Sequence, residues 1–103
     1  MTEAQIPQAA TFRRYGMTRE EWVAILDGQG GVCGVCGKLP RSGRLNTDHQ
    51  HVRGWAKLPP EVRKQYVRGL ACFKCNVALH GGTTVAWLEG ALAYLAAYER
   101  RRS

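Results

Sequence analysis

Cys33-Gly34-Val35-Cys36, then Asp48-His49-Gln50-His51, then Cys72-Phe73-Lys74-Cys75-Asn76 are the stretches that decide how this chain folds. Two cysteines separated by two residues can present both sulfurs to one tetrahedral ion, so two such knuckles make a four-cysteine zinc site. Ordinary zinc fingers separate their ligand pairs by roughly 12–20 residues. Here 35 residues lie between Cys36 and Cys72, room for a substructure whose two ends a metal would clamp together. The densest group of polar ligands, Asp48, His49 and His51, sits inside that substructure, and Asn76 follows the last cysteine directly. The pattern reads as a zinc-stapled frame around a second, chemical site.

The rest of the composition agrees with one small domain. A chain of 103 residues is near the size at which a hydrophobic core alone gives modest stability, which suits a metal staple. All four cysteines are used by the two knuckles. The first residues carry neither a basic nor an apolar leader segment, so no signal peptide is expected, and disulfides are the weaker use of the thiols. No apolar run approaches the ~18 residues of a membrane span, so no membrane partner is expected. Fifteen Lys and Arg against eight Asp and Glu leave a formal charge of +7. On a small protein that surplus points to a polyanion, most simply nucleic acid, with a merely solvated basic surface as the alternative.

Working outward from the knuckles, the first 14 residues read as an N-terminal tail, in which Phe12-Arg13-Arg14-Tyr15 either docks on the body or touches phosphate. Thr18 is a helix N-cap and Glu21 completes a capping box, with Met17 and Trp22 as a hydrophobic staple. Trp22, Ile25 and Leu26 form an apolar stripe that stops at Gly28. Leu45 to His49 reads as a first strand and Val67 to Ala71 as its return. Pro60 to Tyr66 reads as a short helix between them. Asn76 to His80 reads as another short helix. A last helix capped by Thr83 or Thr84 runs to about Arg100. Its stripe of Leu88, Ala91, Leu92, Leu95 and Tyr98, widened by Trp87 and Tyr94, needs more than one neighbour, either a partner chain or the protein's own core. The fold class is therefore α+β.

Asp48 and His49 are adjacent on a strand end and point to opposite faces, so separate roles suit them better than one shared ion. A carboxylate at Asp48 suits a hard divalent ion, and the Asn76 amide oxygen could join it. An imidazole at His49 suits a general base that takes a proton from water. Together these are the parts of metal-assisted phosphodiester hydrolysis. A polar surface turn or an accessory zinc site is the plainer reading of Asp48, His49 and His51.

The pattern CxxC, DHxH and RGLxCxxCN, with the lead-in Tyr15-Gly16-Met17-Thr18 and Gln29-Gly30-Gly31-Val32-Cys33, resembles the phage recombination endonuclease VII family. That family belongs to the His-Asn-His, or ββα-metal (His-Me finger), nucleases. The resemblance covers about residues 15–82, and implies a zinc-bound nuclease domain there. Residues 83–103 are then a C-terminal helix and candidate dimer contact. It implies structural Zn2+ on Cys33, Cys36, Cys72 and Cys75, and catalytic Mg2+ or Mn2+ on Asp48 and Asn76. It makes His49 the general base and His51 a second active-site histidine. The implied activity is cleavage of DNA, typically branched or distorted, to a 5′-phosphate and a 3′-hydroxyl by a homodimer. The implied location is the cytoplasm of a phage-infected or prophage-carrying host cell. The connection from His51 to Arg68 is longer than the family's. Its Arg53, Lys57, Arg63 and Lys64, with Arg68, are candidate contacts to DNA. Glu89 is the nearest counterpart of an acid that some members supply, and His80, one turn beyond Asn76, either faces the same ion or caps the helix end. The alternative is a non-catalytic zinc-knuckle DNA-binding module. A third reading is an interaction domain that uses the apolar last helix.

Overall fold

The computed structural model describes residues 6–102. Its elements are α1 (Ala9–Tyr15), α2 (Arg19–Gly28), β1 (Asn46–His49), α3 (Pro60–Arg63), β2 (Val67–Ala71), α4 (Phe73–Ala78) and α5 (Val85–Arg102). Two 3-10 turns, Trp55–Lys57 and Lys64–Tyr66, flank α3. This is the expected mixture of helices with a small antiparallel sheet.

The start of α2 follows its local chemistry. The Glu21 amide donates to Thr18 Oγ1 at 3.1 Å, and the Thr18 amide donates to Glu21 Oε1 at 2.9 Å. Two amides that would otherwise lack partners are thereby satisfied. The helix buries Trp22 and Leu26. They join Met17, Cys33, Leu45, Leu70 and Ala71 in one core, so α2 lies against β2. Trp22 Nε1 donates to the buried Thr47 Oγ1 at 3.1 Å, which ties α2 to β1 as well.

β1 and β2 pair antiparallel, with Asn46 opposite Ala71, Thr47 opposite Leu70 and Asp48 opposite Gly69. The register then slips, and His49 faces Val67. Arg68 is the extra residue at this bulge. The other edge of β2 is held by one side chain. Leu70 donates its amide to Gln29 Oε1 at 2.9 Å, and Gln29 Nε2 donates to the Leu70 carbonyl at 3.0 Å. The same Nε2 donates to the Val32 carbonyl at 2.9 Å, and the Gly34 amide donates to the Leu70 carbonyl at 2.9 Å. Gln29 thus stands in for a third strand and fastens the first knuckle to the sheet. Gly69 makes room for it, since a Cβ there would lie 2.8 Å from Gln29 Oε1.

Three expectations are corrected. The opening tail is helical from Ala9, because Phe12 and Tyr15, one turn apart, both pack on the core. Residues 1–5 of that tail lie outside the described residues. Gly16 ends α1 in the left-handed conformation at φ 66°, where a Cβ would collide with the Pro60 carbonyl, so α1 and α3 touch directly. The helix expected from Asn76 begins at Phe73, because Cys72 serves as its N-cap and the knuckle is itself the first turn.

The third concerns α5, where of the two settings open to its apolar stripe the structure does not show packing into this chain's own core. No residue of this helix is buried, and Val85, Trp87, Leu88, Leu92, Tyr94, Leu95 and Tyr98 are 45–77% exposed. The neighbours that its apolar surface needs are not in this chain among the described residues. At 18 residues it forms an arm about 27 Å long. The radius of gyration, 16.0 Å, reflects that arm, since a compact chain of this length has about 13 Å.

Candidate active site

The two cysteine knuckles meet as the spacing anticipates. Sγ atoms of Cys33, Cys36, Cys72 and Cys75 all lie within 4.8 Å of one another, and none is in a disulfide. Cys36 Sγ and Cys72 Sγ are 3.9 Å apart, against the ~3.8 Å edge of a tetrahedron with 2.3 Å zinc–sulfur bonds. The residues fit zinc. Burial raises the Cys33 thiol pKa, but the amides of Cys36, Cys72 and Val35 and the Cys36 thiol outweigh it and bring it to about 6. Cys75 is held up to about 12, first by its bond to the Cys72 thiol, then by burial and by Cys36 and Cys33. Four thiols this close share negative charge poorly, and a divalent cation relieves that conflict.

The far end of the sheet carries the polar cluster. β1, β2 and α4 follow in sequence apart from the connection, and α4 packs on both strands. Asp48 is buried, and its only hydrogen bonds among the described residues come from Arg68. Arg68 Nε donates to Oδ2 at 2.7 Å and Nη2 donates to Oδ1 at 3.0 Å. His49 lies in different surroundings. Its ring stacks on Trp55 with centroids 4.0 Å apart and planes 18° from parallel. Tyr15 approaches at 5.8 Å and His51 at 5.3 Å. The His49 pKa is lowered, chiefly by burial, then by the His51 charge, with Asp48 opposing and the Arg14 and Arg68 guanidiniums adding to the depression. An imidazole so placed is neutral near pH 7 and able to accept a proton.

Asn76 sits on α4 and lines an open cleft of about 630 Å³ with Arg14, Tyr15, Arg44, Asn46 and Thr47. Among the described residues, no acidic residue lines this cleft. Its amide makes no side-chain hydrogen bond among the described residues, so it is available to a ligand. His51 lies beside the turn after α4, where a Cβ on Gly81 would be 3.6 Å from it. His80 Nδ1 accepts from the Gly82 amide at 3.1 Å, in keeping with a helix-end cap. The donor set, one carboxylate and one free amide oxygen, suits a hard divalent ion in chemistry, although the carboxylate already has a cation beside it.

The five basic residues singled out in the connection and on β2 divide. Arg53 and Lys57 are exposed. Lys64 pairs with Glu21 beneath the N-terminus of α2. Arg63 lies 5.7 Å from the Trp55 ring, and Arg68 is committed to Asp48. Sequence reasoning missed Trp55, Gln29 and Arg44, and left Arg14 and Tyr15 undecided. A Trp in a connection without regular periodicity was the available signal for the first.

What the fold and site define is a small α+β domain, clamped by four cysteines, that presents an Asp-His-x-His strand end beside an Asn-bearing helix. The family pattern of recombination endonuclease VII matches residues 8–97. The chain belongs to the recombination endonuclease VII family. The gene 59 protein of Mycobacterium phage D29 is 36% identical over 84 residues, covering 79% of this chain and 44% of that protein. The gene 59 protein of Mycobacterium phage L5 is 36% identical over 63 residues, covering 60% of this chain and 32% of its own length. The chain therefore spans less than half the length of these curated relatives. No solved structure matches it significantly. Among the described residues, no helix is long and apolar enough to cross a membrane.

Proposed function

We propose that this protein is a divalent-metal-dependent endodeoxyribonuclease with a ββα-metal core formed by β1, β2 and α4. The observation that carries this reading is the His49 imidazole, held flat against Trp55, kept neutral by burial, and next in chain to a buried carboxylate. Family membership supports the reaction class. Asp48 and Asn76 would hold Mg2+ or Mn2+, which when bound supplies charge stabilisation to the phosphate and the leaving oxygen. His49 takes a proton from the attacking water. The water oxygen bonds to phosphorus, and the 3′ oxygen leaves and is protonated, so the products are a 5′-phosphate and a 3′-hydroxyl. His51, 5.3 Å from His49, is placed to assist at the phosphate or the leaving group. Arg14 and Arg44 line the cleft beside Asn76 and would guide the strand, with Arg53 and Lys57 reaching flanking phosphates.

The substrate class is branched or distorted DNA, such as recombination intermediates, in a host cell carrying the phage. The exposed apolar face of α5 supports a homodimer, which would bring two sites to two strands. The test is cleavage of a four-way junction, a flap and a linear duplex by zinc-loaded protein with Mg2+. Preferential cutting of the branched DNAs is expected, and no cutting of any of them overturns the reading. One observation favours a second reading, a zinc-knuckle DNA-binding module. Asp48 is already neutralised by Arg68, as a purely structural carboxylate would be. That module would bind DNA with steep salt dependence and cleave nothing under any divalent ion.

A further inference from the structure

Arg68 is the residue that the strand pairing leaves over. In a regular ladder, Arg68 would point away from the face shared by Asp48 and its partner Gly69. A bulge breaks this alternation and re-aims the extra side chain. Here it brings the guanidinium onto the Asp48 carboxylate, where a fork of two bonds, 2.7 Å and 3.0 Å, takes both oxygens. The same Nη2 lies 3.4 Å from the Leu79 carbonyl, just past the end of α4. The guanidinium therefore spans from the β1 carboxylate to the helix that carries Asn76.

The two partners differ in access. The Asp48 side chain is 6% exposed and the Arg68 side chain 39%. The carboxylate is fixed, whereas the arginine can be reached from solvent and drawn aside. A buried carboxylate stripped of its partner is costly, so whatever removes Arg68 must leave another cation in its place. A phosphodiester presents a guanidinium with the same paired acceptors as a carboxylate, so a DNA phosphate that reaches the part-exposed Arg68 competes for it.

We propose that Arg68 is an internal cation that keeps Asp48 closed to divalent ions until a DNA phosphate draws the guanidinium away, so that ion loading depends on substrate. This rests on the reading of Asp48 as an ion ligand, and Arg68 is in this sense a positioning residue. The protein is then inert toward free divalent ions and is completed by the molecule it cuts.

The experiment follows Mn2+ binding by electron paramagnetic resonance to zinc-loaded protein in a His49→Ala background, which keeps the DNA intact. Arg68, Arg68→Lys and Arg68→Gln forms are compared with and without a short duplex, and Asp48→Asn defines the component due to Asp48. Without DNA, Arg68→Gln is expected to bind Mn2+ about tenfold more tightly than the Arg68 form, within the usual range of coupling between sites. Adding DNA should tighten the Arg68 form by a similar factor and leave Arg68→Gln nearly unchanged. Equal affinities without DNA, or an equal gain with DNA, overturn the proposal while leaving the ion site standing. Loss of every Asp48-dependent component instead removes the ion site and the proposal together. Should Arg68→Gln fail to fold, Arg68→Lys decides, since a single ammonium cannot take both oxygens. Its Mn2+ affinity without DNA should rise, and no rise overturns the proposal.

Discussion

At one end of the two-stranded sheet, where Asn46 faces Ala71, β2 runs into Cys72 and four sulfurs that already lie within 4.8 Å of one another. Around the bulge each reactive group has different company, Asp48 with Arg68 and His49 with Trp55, while Asn76 on α4 lines an open cleft. The first end is convergent and uniform, and among the described residues its ligands have no ion-pair partner of opposite charge. The second is dispersed and partly preoccupied. A site that only holds structure can be assembled permanently. On the proposed function, a site that must admit water, ion and phosphate in turn would need groups that are individually restrained, with the carboxylate held by Arg68. The sheet links them, because β2 runs from the bulge into Cys72, which caps α4.

The sharpest way to break this contrast is to remove the convergent end. Structural zinc contributes about 10–16 kcal/mol of apparent binding free energy in small domains. Chelation, or Cys72→Ser, is therefore expected to abolish the cooperative thermal transition in circular dichroism. A Cys72→Ser protein that keeps stoichiometric zinc and an intact fold would contradict the four-cysteine assignment. Gln29→Ala should act on the link between the ends at smaller scale. It leaves the Leu70 amide and carbonyl without their side-chain partners, a loss of about 1–3 kcal/mol readable by urea denaturation.

Smaller effects are expected where the structure is already exposed or only tuned. Leu92→Asp on α5 should leave monomer stability within about 0.5 kcal/mol, because Leu92 is 69% exposed. Sedimentation should nevertheless show dimer converted to monomer; an unchanged mass would dissociate α5 from self-association. Trp55→Ala concerns only the His49 environment. In the zinc-loaded protein, His49 should titrate below the ordinary value of 6.5, as burial favours the neutral ring. Removing the stacked indole should raise that titration toward 6.5 by NMR, so the base form is lost at higher pH than in the parent. No shift would mean that Trp55 does not supply the burial.

What the sequence made legible was local. Thr18 and Glu21 sit three residues apart and cap one helix, so spacing alone placed its start. The cysteine pairs and the return strand Val67–Ala71 were equally readable, because each is a short motif and the strand runs directly into Cys72. The clasp of Asp48 by Arg68 was not, since a bulge is a slip in register between strands and leaves no mark in either strand alone. Trp55 was hidden for a related reason. It lies in a 3-10 turn within a connection without periodicity, and only the fold of α3 and α1 around it buries its ring against His49. The helix over Ala9–Tyr15 is too short to stand on propensity and exists through Phe12 and Tyr15 docking on the body. Gln29 acts through a partner 41 residues away, beyond any local pattern.

Nicking of supercoiled plasmid by zinc-loaded protein with Mg2+, wild type beside His49→Ala, tests the account most directly. A general base contributes about 10²–10⁴-fold, so His49→Ala should lose that much rate while zinc content and DNA binding stay unchanged. Full activity in His49→Ala would contradict it.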